Sequence, residues 1–322
     1  MTAATAARHH PLASEYLTQR PWLGLYGKFC RSAAAEDLDS VELAPVQRLP
    51  DEILINILGR LDAVALATAS CASRTFAVLI RKPSGILWRG VCADSFPETR
   101  SELSRIVDEE YRGNWREMFL TRPRLRCDGI YVSRNQYVKP GQTVWDERNP
   151  VHLVAWFRYL RFFRDGSFAY RTSPLKPAAV VKSLRRGRAE QARAGEGSLD
   201  VYHGMAELRG WLTHTAFSYP GPAPSSVHQW MRLRSTVRGA CNRLDIRGIF
   251  SLSAFEEAPP VPPEDDPVWD SELGLRDRDA WDAGDILLHS RGLTSYVFVH
   301  ENDVAQSVLN LGTDKLDYWI PG

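Results

Sequence analysis

The chain has 322 residues, of which 44% are hydrophobic and 25% are charged, so it is long enough for about two domains with cores of their own. Its 40 basic and 39 acidic residues leave a formal charge of +1, which argues against a general electrostatic attraction to nucleic acid or to an anionic membrane. The five cysteines form no C-x-x-C pair, and no apolar run is long enough to span a membrane. We therefore expect a reducing, cytoplasmic location, with the nucleus as a second one, and no membrane partner.

Residues 1–45 mix alanine, arginine and proline around one apolar island at 21–29, which an acidic spacer follows. We expect a mostly disordered arm, because this composition offers little to bury. The first residues lack the apolar region of a secretory signal. Their shortage of acidic residues leaves a transit peptide as an alternative.

The character of the sequence changes near residue 125. Before it, apolar residues recur at spacings of three and four, which is typical of helices. After it, they alternate or form short aromatic runs bounded by Asp-Gly, Pro-Gly and Arg-Gly, which are strand and turn signals. We therefore predict an α+β multidomain chain with a small three-helix unit at 46–96, a helical linker at 97–125 and an antiparallel β-barrel-like domain at 126–322.

The segment RLPDEILINILGRLD at 48–62 predicts a short helix that begins at Pro50. Leu49 should be extended because it precedes a proline, and proline suits the first helical position. Asp51 and Glu52 follow where the helix dipole favours negative charge. The apolar residues after them recur at spacings that line one broad side of a helix, and they are Ile53, Leu54, Ile57, Leu58 and Leu61.

Two more short helices are predicted after this one. The second is capped by Asp62, carries Leu66 and Phe76 among small residues, and ends near Pro83, which cannot continue it. The third holds Trp88. Three short helices form a very small core, so part of their apolar surface is available to a partner protein. The alternative is that these helices only pack on the β part of the same chain.

The order of residues here favours the partner. LPDEILINILGRLD at 49–62 is followed by Leu66, by Arg74 and Phe76, and by Leu87-Trp88. This series resembles the F-box, the module by which substrate receptors dock onto the Skp adaptor of a cullin-based ubiquitin ligase. The resemblance implies the Skp adaptor and, through it, the cullin scaffold as partners. The residues implied to bind the adaptor are Leu49, Pro50, Ile53, Leu54, Ile57, Leu58, Leu61, Leu66 and Trp88.

Two later stretches carry a second resemblance. They are NWREMFLTRPRLRCDGIYVSRNQYVK at 114–139 and WFRYLRFFRDGSFAYRTSP at 156–174. Both are similar to the C-terminal domain shared by the F-box-only protein nine family and its fungal counterparts, and the similarity thins beyond residue 200. The N-terminal repeat region of animal members has no counterpart in this sequence. The matching family features are the Trp-Arg-Glu-Met-Phe helix at 115–119, the Arg-Pro-Arg hinge at 122–124, the Asp-Gly strand start at 128–131 and the Phe-Phe-x-Asp-Gly turn at 162–166.

An Asp-Gly pair at 165–166 between two aromatic runs is a strong hairpin signal. A two-residue type I′ loop would pair Phe163 with Phe168 and Arg161 with Tyr170. The preceding strand is largely apolar or aromatic on both faces, which is typical of a sandwich or barrel, and we interpret its aromatic residues as core. Further strands predict a closed, lipocalin-like antiparallel barrel without bare edges, at 128–133, 168–172, 201–209, 211–217, 228–236, 242–253 and 295–300.

The sequence contains no recognisable catalytic or metal-binding motif. Cys127, beside Arg126, is a weak candidate nucleophile at a predicted strand start. We expect no catalytic residue, no cofactor and no metal. A basic loop that could touch RNA or serve as a nuclear address contains Lys182, Arg185, Arg186, Arg188 and Arg193, but no interleaved aromatic residues.

Together these features predict a non-catalytic substrate receptor of a Skp-cullin-F-box ubiquitin ligase, whose barrel binds an unknown protein substrate. Two alternatives remain open at this point. A lipocalin-like carrier of a small molecule requires a hollow barrel, and a nucleic-acid-binding module requires a contiguous basic face.

Overall fold

The structure is a computed structural model, and it describes residues 46, 49–81, 85–140, 151–185, 201–219, 225–253, 287–288 and 292–312. The predicted arm at 1–45 and most of the basic loop lie outside the described residues. The described residues form two parts. We call residues 51–121 the helical unit and residues 129–312 the barrel.

Short helices make up the helical unit. They are α1 (Asp51–Leu58), α2 (Ala63–Ala72), α3 (Arg74–Arg81), α4 (Ile86–Ser95), α5 (Arg100–Tyr111) and α6 (Trp115–Thr121). Pro50 stands just before α1 rather than in its first turn, with ψ of 148°.

The predicted second helix is two helices, so the prediction of one continuous helix is wrong. Ser73 separates α2 from α3 with extended backbone angles, φ −149° and ψ 142°. Its carbonyl accepts a hydrogen bond from the Ala77 amide at 3.0 Å, which starts α3. Serine is favoured at helix ends because its side chain competes for backbone hydrogen bonds in helix interiors.

Side-chain caps mark several helix starts. The Asp62 carboxylate accepts from the Ala65 amide at 2.7 Å, which confirms the predicted cap of α2. Thr99 and Glu102 form a capping box at α5. Asn114 caps α6 by accepting from the Glu117 amide at 3.1 Å. These local bonds satisfy amides that would otherwise have no partner inside the helices.

One apolar core runs through the whole helical unit. Leu54 and Leu58 of α1 pack in the same cluster as Leu103 of α5 and Met118 of α6. The predicted linker at 97–125 is therefore largely part of this unit, because α5 and α6 complete its core. The added helices supply apolar surface that three short helices lack by themselves.

The barrel is a closed antiparallel sheet, as predicted. Its strands follow the order β6-β5-β4-β3-β2-β1-β9-β7, and pairing of β6 with β7 closes the ring, while the short β8 pairs with β7. The strands are β1 (Gly129–Pro140), β2 (Val151–Phe162), β3 (Ser167–Ser173), β4 (Val201–Arg209), β5 (Leu212–Tyr219), β6 (Ser225–Arg234), β7 (Arg243–Ser253), β8 (Leu287–Leu288) and β9 (Tyr296–His300).

The β2–β3 hairpin has a different register from the predicted one. Phe162 pairs with Phe168, and Leu160 pairs with Tyr170. The loop is longer than two residues because the Phe163 amide donates to the Ser167 carbonyl at 2.9 Å. Gly166 has φ of 80°, so it supplies the left-handed backbone conformation that a three-residue hairpin loop requires. The added loop residue shifts the predicted pairs by one position.

Both faces of β2 are buried, which confirms the prediction from its aromatic residues. Leu160 and Phe162 point into the barrel, whereas Phe157 and Tyr159 lie in a second cluster on the outer face. That second cluster includes residues from α7 (Pro177–Val180), from the 3-10 helix Val181–Leu184 and from the 3-10 helix Glu301–Gln306.

The two ends of the barrel lie differently relative to the helical unit. The end next to it has the connections at 163–166, 210–211 and 235–242. The last residues of β1, β3, β5 and β7 form the opposite end, which faces away from the helical unit.

Candidate partner-docking site

Helix α1 carries apolar residues on two sides. Ile53 and Ile57 are 46% and 47% exposed, whereas Leu54 and Leu58 are 1% and 3% exposed. A spacing of four places Ile53 and Ile57 next to each other on the outer side and keeps the two leucines together on the inner side. α1 therefore presents an apolar strip to solvent while its other side completes the core.

The structure divides the nine residues predicted to bind the adaptor. Leu49, Pro50, Ile53 and Ile57 are exposed, and Leu61 is half-buried against the core. The other four are covered by residues of their own chain, namely Leu54, Leu58, Leu66 and Trp88. This corrects the prediction that all nine offer surface to a partner, because a helical unit of this size needs its large apolar residues for its own core.

Trp88 shows why such a residue is internal. Its ring centroid lies 5.3 Å from that of Phe119 in α6, and its indole nitrogen donates to the Ile80 carbonyl at 2.8 Å. The Cys92 thiol, one turn along α4, donates to the Trp115 carbonyl at 3.5 Å. Trp88 therefore packs α4 against α6.

Sequence reasoning missed two exposed apolar residues. Val64 in the first turn of α2 is 57% exposed, and Ile86 at the start of α4 is 63% exposed. Ile86 borders a shallow groove that Ile55 and Leu79 also line. Neither residue has a large apolar neighbour three or four positions later in the sequence. That isolation is the signal that places them off the buried side of their helices.

Charged residues border the exposed strip on α1. Asp51 and Glu52 occupy the exposed first turn, and Arg60 follows the helix end. An apolar centre with a polar rim is the usual composition of a protein–protein interface. The arrangement therefore suits the binding of a partner protein.

Two thiols near the helical unit, those of Cys92 and Cys127, are poor nucleophiles. Burial raises the pKa of Cys127 to about 11 and that of Cys92 to about 12. Both therefore stay protonated at neutral pH, which argues against Cys127 as a nucleophile. Within the described residues, no three His, Cys, Asp or Glu side chains are grouped so that they could hold a metal ion. No described helix is both long enough and apolar enough to cross a membrane.

Two histidines form a pair that sequence spacing did not reveal. Nε2 of His214 and Nδ1 of His228 are 3.0 Å apart, and the His214 ring stacks on Trp230 at 4.1 Å. Burial, and then the neighbouring His228, lower the pKa of His214 to about 4. Both rings lie on the outer side of the barrel, far along the chain from α1.

Aromatic side chains pack the barrel interior. Tyr170 stacks on Phe217 at 4.6 Å, and Tyr131 meets Phe162 edge-on at 5.6 Å. The fully buried Gln229 accepts a hydrogen bond at its side-chain oxygen from the Tyr296 hydroxyl at 3.2 Å, while its side-chain nitrogen has no hydrogen-bond partner among the described residues. This packing argues against the hollow barrel that a lipocalin-like carrier requires.

The described part of the basic loop does not form a contiguous basic face. The Arg185 guanidinium is paired with Glu301 at 2.8 Å, and Arg161 binds the same carboxylate at 2.6 Å. Lys182 is exposed beside them. These residues therefore give no support to a nucleic-acid interface.

Comparison with known proteins agrees with this architecture. The family described as F-box only protein C-terminal region matches residues 104–322, and the F-box-like family matches residues 46–94. No solved structure shows a significant match.

Two curated fungal proteins are similar to part of the chain. F-box protein pof7 of Schizosaccharomyces pombe is 29% identical over 159 residues, which cover 46% of this chain and 44% of that protein. F-box protein HRT3 of Saccharomyces cerevisiae is 26% identical over 167 residues, which cover 46% of this chain and 48% of that protein. The matched region thus spans about half the length of these relatives. The match to the C-terminal family covers most of this chain, residues 104–322. The chain therefore belongs to the F-box-only protein family defined by that C-terminal region, and it carries an F-box-like region before it.

Proposed function

We propose that this chain is a non-catalytic substrate-receptor subunit of a Skp-cullin-F-box ubiquitin ligase. In this proposal the F-box-like region docks the Skp adaptor, and the barrel binds the protein to be ubiquitinated and degraded by the proteasome. The observation that carries the proposal is the exposed pair Ile53 and Ile57, on a helix whose opposite side is fully buried. A small folded unit that leaves two adjacent large apolar side chains in water is typical of a binding surface.

The free energy of binding requires a docking surface larger than the two isoleucines of α1. Complete burial of an isoleucine side chain contributes about 1.5 to 3 kcal/mol, so covering the exposed halves of Ile53 and Ile57 contributes about 1.5 to 3 kcal/mol together. Association itself costs several kcal/mol. α1 alone therefore cannot support a stable complex. Leu49, Val64 and Ile86 are further exposed apolar residues of this region, and we propose that the adaptor covers them as well.

The proposed mechanism is proximity. The receptor holds a substrate lysine near a ubiquitin-charged enzyme, which makes the encounter local, and it contributes no catalytic group itself. The barrel end formed by the last residues of β1, β3, β5 and β7 faces away from the helical unit. That end is therefore where we place the substrate, out of the way of the adaptor. The expected setting is the cytoplasm or the nucleus, where proteasomal degradation takes place.

Reconstitution tests the proposal. The full chain, a purified fungal Skp adaptor and a cullin scaffold are combined, and complex formation is followed by size exclusion and isothermal titration calorimetry. We expect a ternary complex and a sub-micromolar affinity for the adaptor. Absence of binding at concentrations of tens of micromolar, with the chain folded by circular dichroism, would overturn the proposal.

A further inference from the structure

The helical unit and the barrel meet at the barrel end with the short connections. Arg238 in the β6–β7 loop, residues 235–242, forms an ion pair with Glu117 of α6. At the β2–β3 turn, Arg164 donates to the main-chain carbonyl of Asp94 in α4. Two separate connections of the barrel therefore contact two different helices.

Arg124, in the segment that joins the two parts, lies between them and is only 7% exposed. Its guanidinium donates to the Phe119 carbonyl at 2.7 Å and to the Gly239 carbonyl at 2.7 Å. It also lies 3.7 Å from the centroid of the Phe119 ring. One side chain thus links the end of α6 to the β6–β7 loop, and burial lowers its pKa from 12.5 while it remains a cation at neutral pH.

The β6–β7 loop is held in the shape that this link needs. Cys241 has φ of 45°, a value that residues other than glycine seldom adopt. The Cys241 amide donates to the Ser235 hydroxyl at 2.9 Å, and its carbonyl accepts from the Tyr131 hydroxyl at 2.7 Å. These bonds keep the Gly239 carbonyl against Arg124.

Gly239 also brings the loop close to α6. It has φ of 78°, and a Cβ atom added there would lie 2.9 Å from Cδ2 and 3.0 Å from Cα of Leu120. Such distances leave no room for a larger residue without a shift of the loop or the helix. Arg124 and Gly239 therefore both hold the β6–β7 loop against α6. Arg124 does so through hydrogen bonds, and Gly239 does so because it has no side chain.

We propose that Arg124 is a positioning residue, which holds the helical unit at one orientation on the barrel and so holds a bound substrate at a constant distance from the ubiquitin-charged enzyme. This inference rests on the proposed function. The ion pairs of Arg238 and Arg164 involve side chains that are 60% and 54% exposed, so screening by water leaves them weak. The buried guanidinium is the contact that resists rotation, because its two carbonyl partners and the ring fix it in several directions.

Two variants and one control test this role. Arg124→Met removes the two hydrogen bonds but keeps an apolar side chain of similar length over Phe119. Gly239→Ala disturbs the same contact without changing any charge. Arg234→Gln is the matched control, because it removes an arginine near the same loop whose ion pair with Asp245, at 2.8 Å, lies wholly within the barrel.

Each variant is prepared as the full chain in complex with the adaptor and cullin. Hydrogen exchange measures the backbone amides of residues 235–242, and titration calorimetry measures adaptor binding. A ubiquitination reaction then measures transfer of ubiquitin to the chain's own exposed barrel lysines, Lys176 and Lys182. Mass spectrometry quantifies the ubiquitin at each site. A purely structural defect would speed exchange throughout the chain and lower the melting temperature. A positioning defect would speed exchange only in the loop at 235–242 and would change the distribution of ubiquitin between the lysines.

We expect Arg124→Met and Gly239→Ala to speed exchange in 235–242 at least tenfold, to leave adaptor affinity within twofold of the unaltered chain, and to redistribute ubiquitin away from the lysines modified there. The control should match the unaltered chain. Unchanged exchange in 235–242, or an unchanged lysine pattern, overturns the inference. If Arg124→Met does not fold, Gly239→Ala decides alone. Failure of the unaltered chain to bind the adaptor instead counts against the proposed function, and the exchange result still decides whether the contact is rigid.

Discussion

The double substitution Ile53→Asp and Ile57→Asp is the most direct perturbation of the proposed docking surface. Each side chain is just under half exposed, at 46% and 47%, so a little over half of each packs against its own chain. Loss of these covered portions should lower the unfolding free energy of the helical unit by about 1.5 to 3 kcal/mol. The fold should persist while the apolar strip disappears.

The expected loss of binding has two parts. The substitutions remove the exposed portions of the two isoleucines that the adaptor would cover. This loss forfeits about 1.5 to 3 kcal/mol of transfer free energy on binding. Placing two carboxylates in an apolar interface without partners costs at least about 1 to 3 kcal/mol each. Since about 1.4 kcal/mol is a tenfold change, the dissociation constant for the adaptor should rise at least a hundredfold, roughly.

Titration calorimetry with purified adaptor measures this change, and circular dichroism with thermal melting checks the fold. The matched control is Leu175→Asp with Val308→Asp, because these barrel residues are 50% and 59% exposed and lie away from α1. The control should leave the dissociation constant unchanged. A dissociation constant within threefold of the original, in a folded Ile53→Asp, Ile57→Asp chain, would refute the docking role of α1.

Three other predictions concern stability. Trp88→Ala should lower the unfolding free energy of the helical unit by about 3 to 5 kcal/mol in urea titrations, because it leaves a cavity and unpairs the buried Ile80 carbonyl, and a loss below 1 kcal/mol would contradict its place in the core. Asp62→Ala should cost about 1 kcal/mol in the same assay, since the Ala65 amide loses its cap, whereas Asp62→Asn should cost little. Because the pKa of His214 falls from 6.5 to about 4 on folding, the unfolded chain binds more protons between these values. The stabilising contribution of neutral His214 is therefore complete above pH 6.5. It declines as the pH falls toward 4, by at most about 1.4 kcal/mol per pH unit. His214→Phe should flatten this part of the pH profile in chemical denaturation, and an equally steep profile would contradict the assignment.

Several features of the molecule follow from short stretches of sequence. Alternating aromatic residues predicted the strands and the closed barrel, because a strand with two apolar faces must be covered on both. Asp62 was identified as a helix cap because the side-chain bond that it forms spans only three residues. The cap and the individual strands thus follow from local contacts, whereas the β1–β9 pairing that completes the barrel joins residues far apart in the chain.

Other features required distant contacts. The spacing in α1 identifies one broad apolar side but does not show which residues face α4, α5 and α6, so the exposed isoleucines could not be separated from the buried leucines. The hairpin register depended on a single added loop residue, Arg164.

The link through Arg124 joins residues more than a hundred positions apart and leaves no periodic signal in the sequence. The sequence alone thus determined most of the elements and the family, since propensity, capping and alternation act locally, but it did not show the break at Ser73 or the length of the β2–β3 loop. Only the tertiary structure decided which apolar side chains remain for a partner and how the two parts are held together. Both depend on which surfaces the folded chain has already covered.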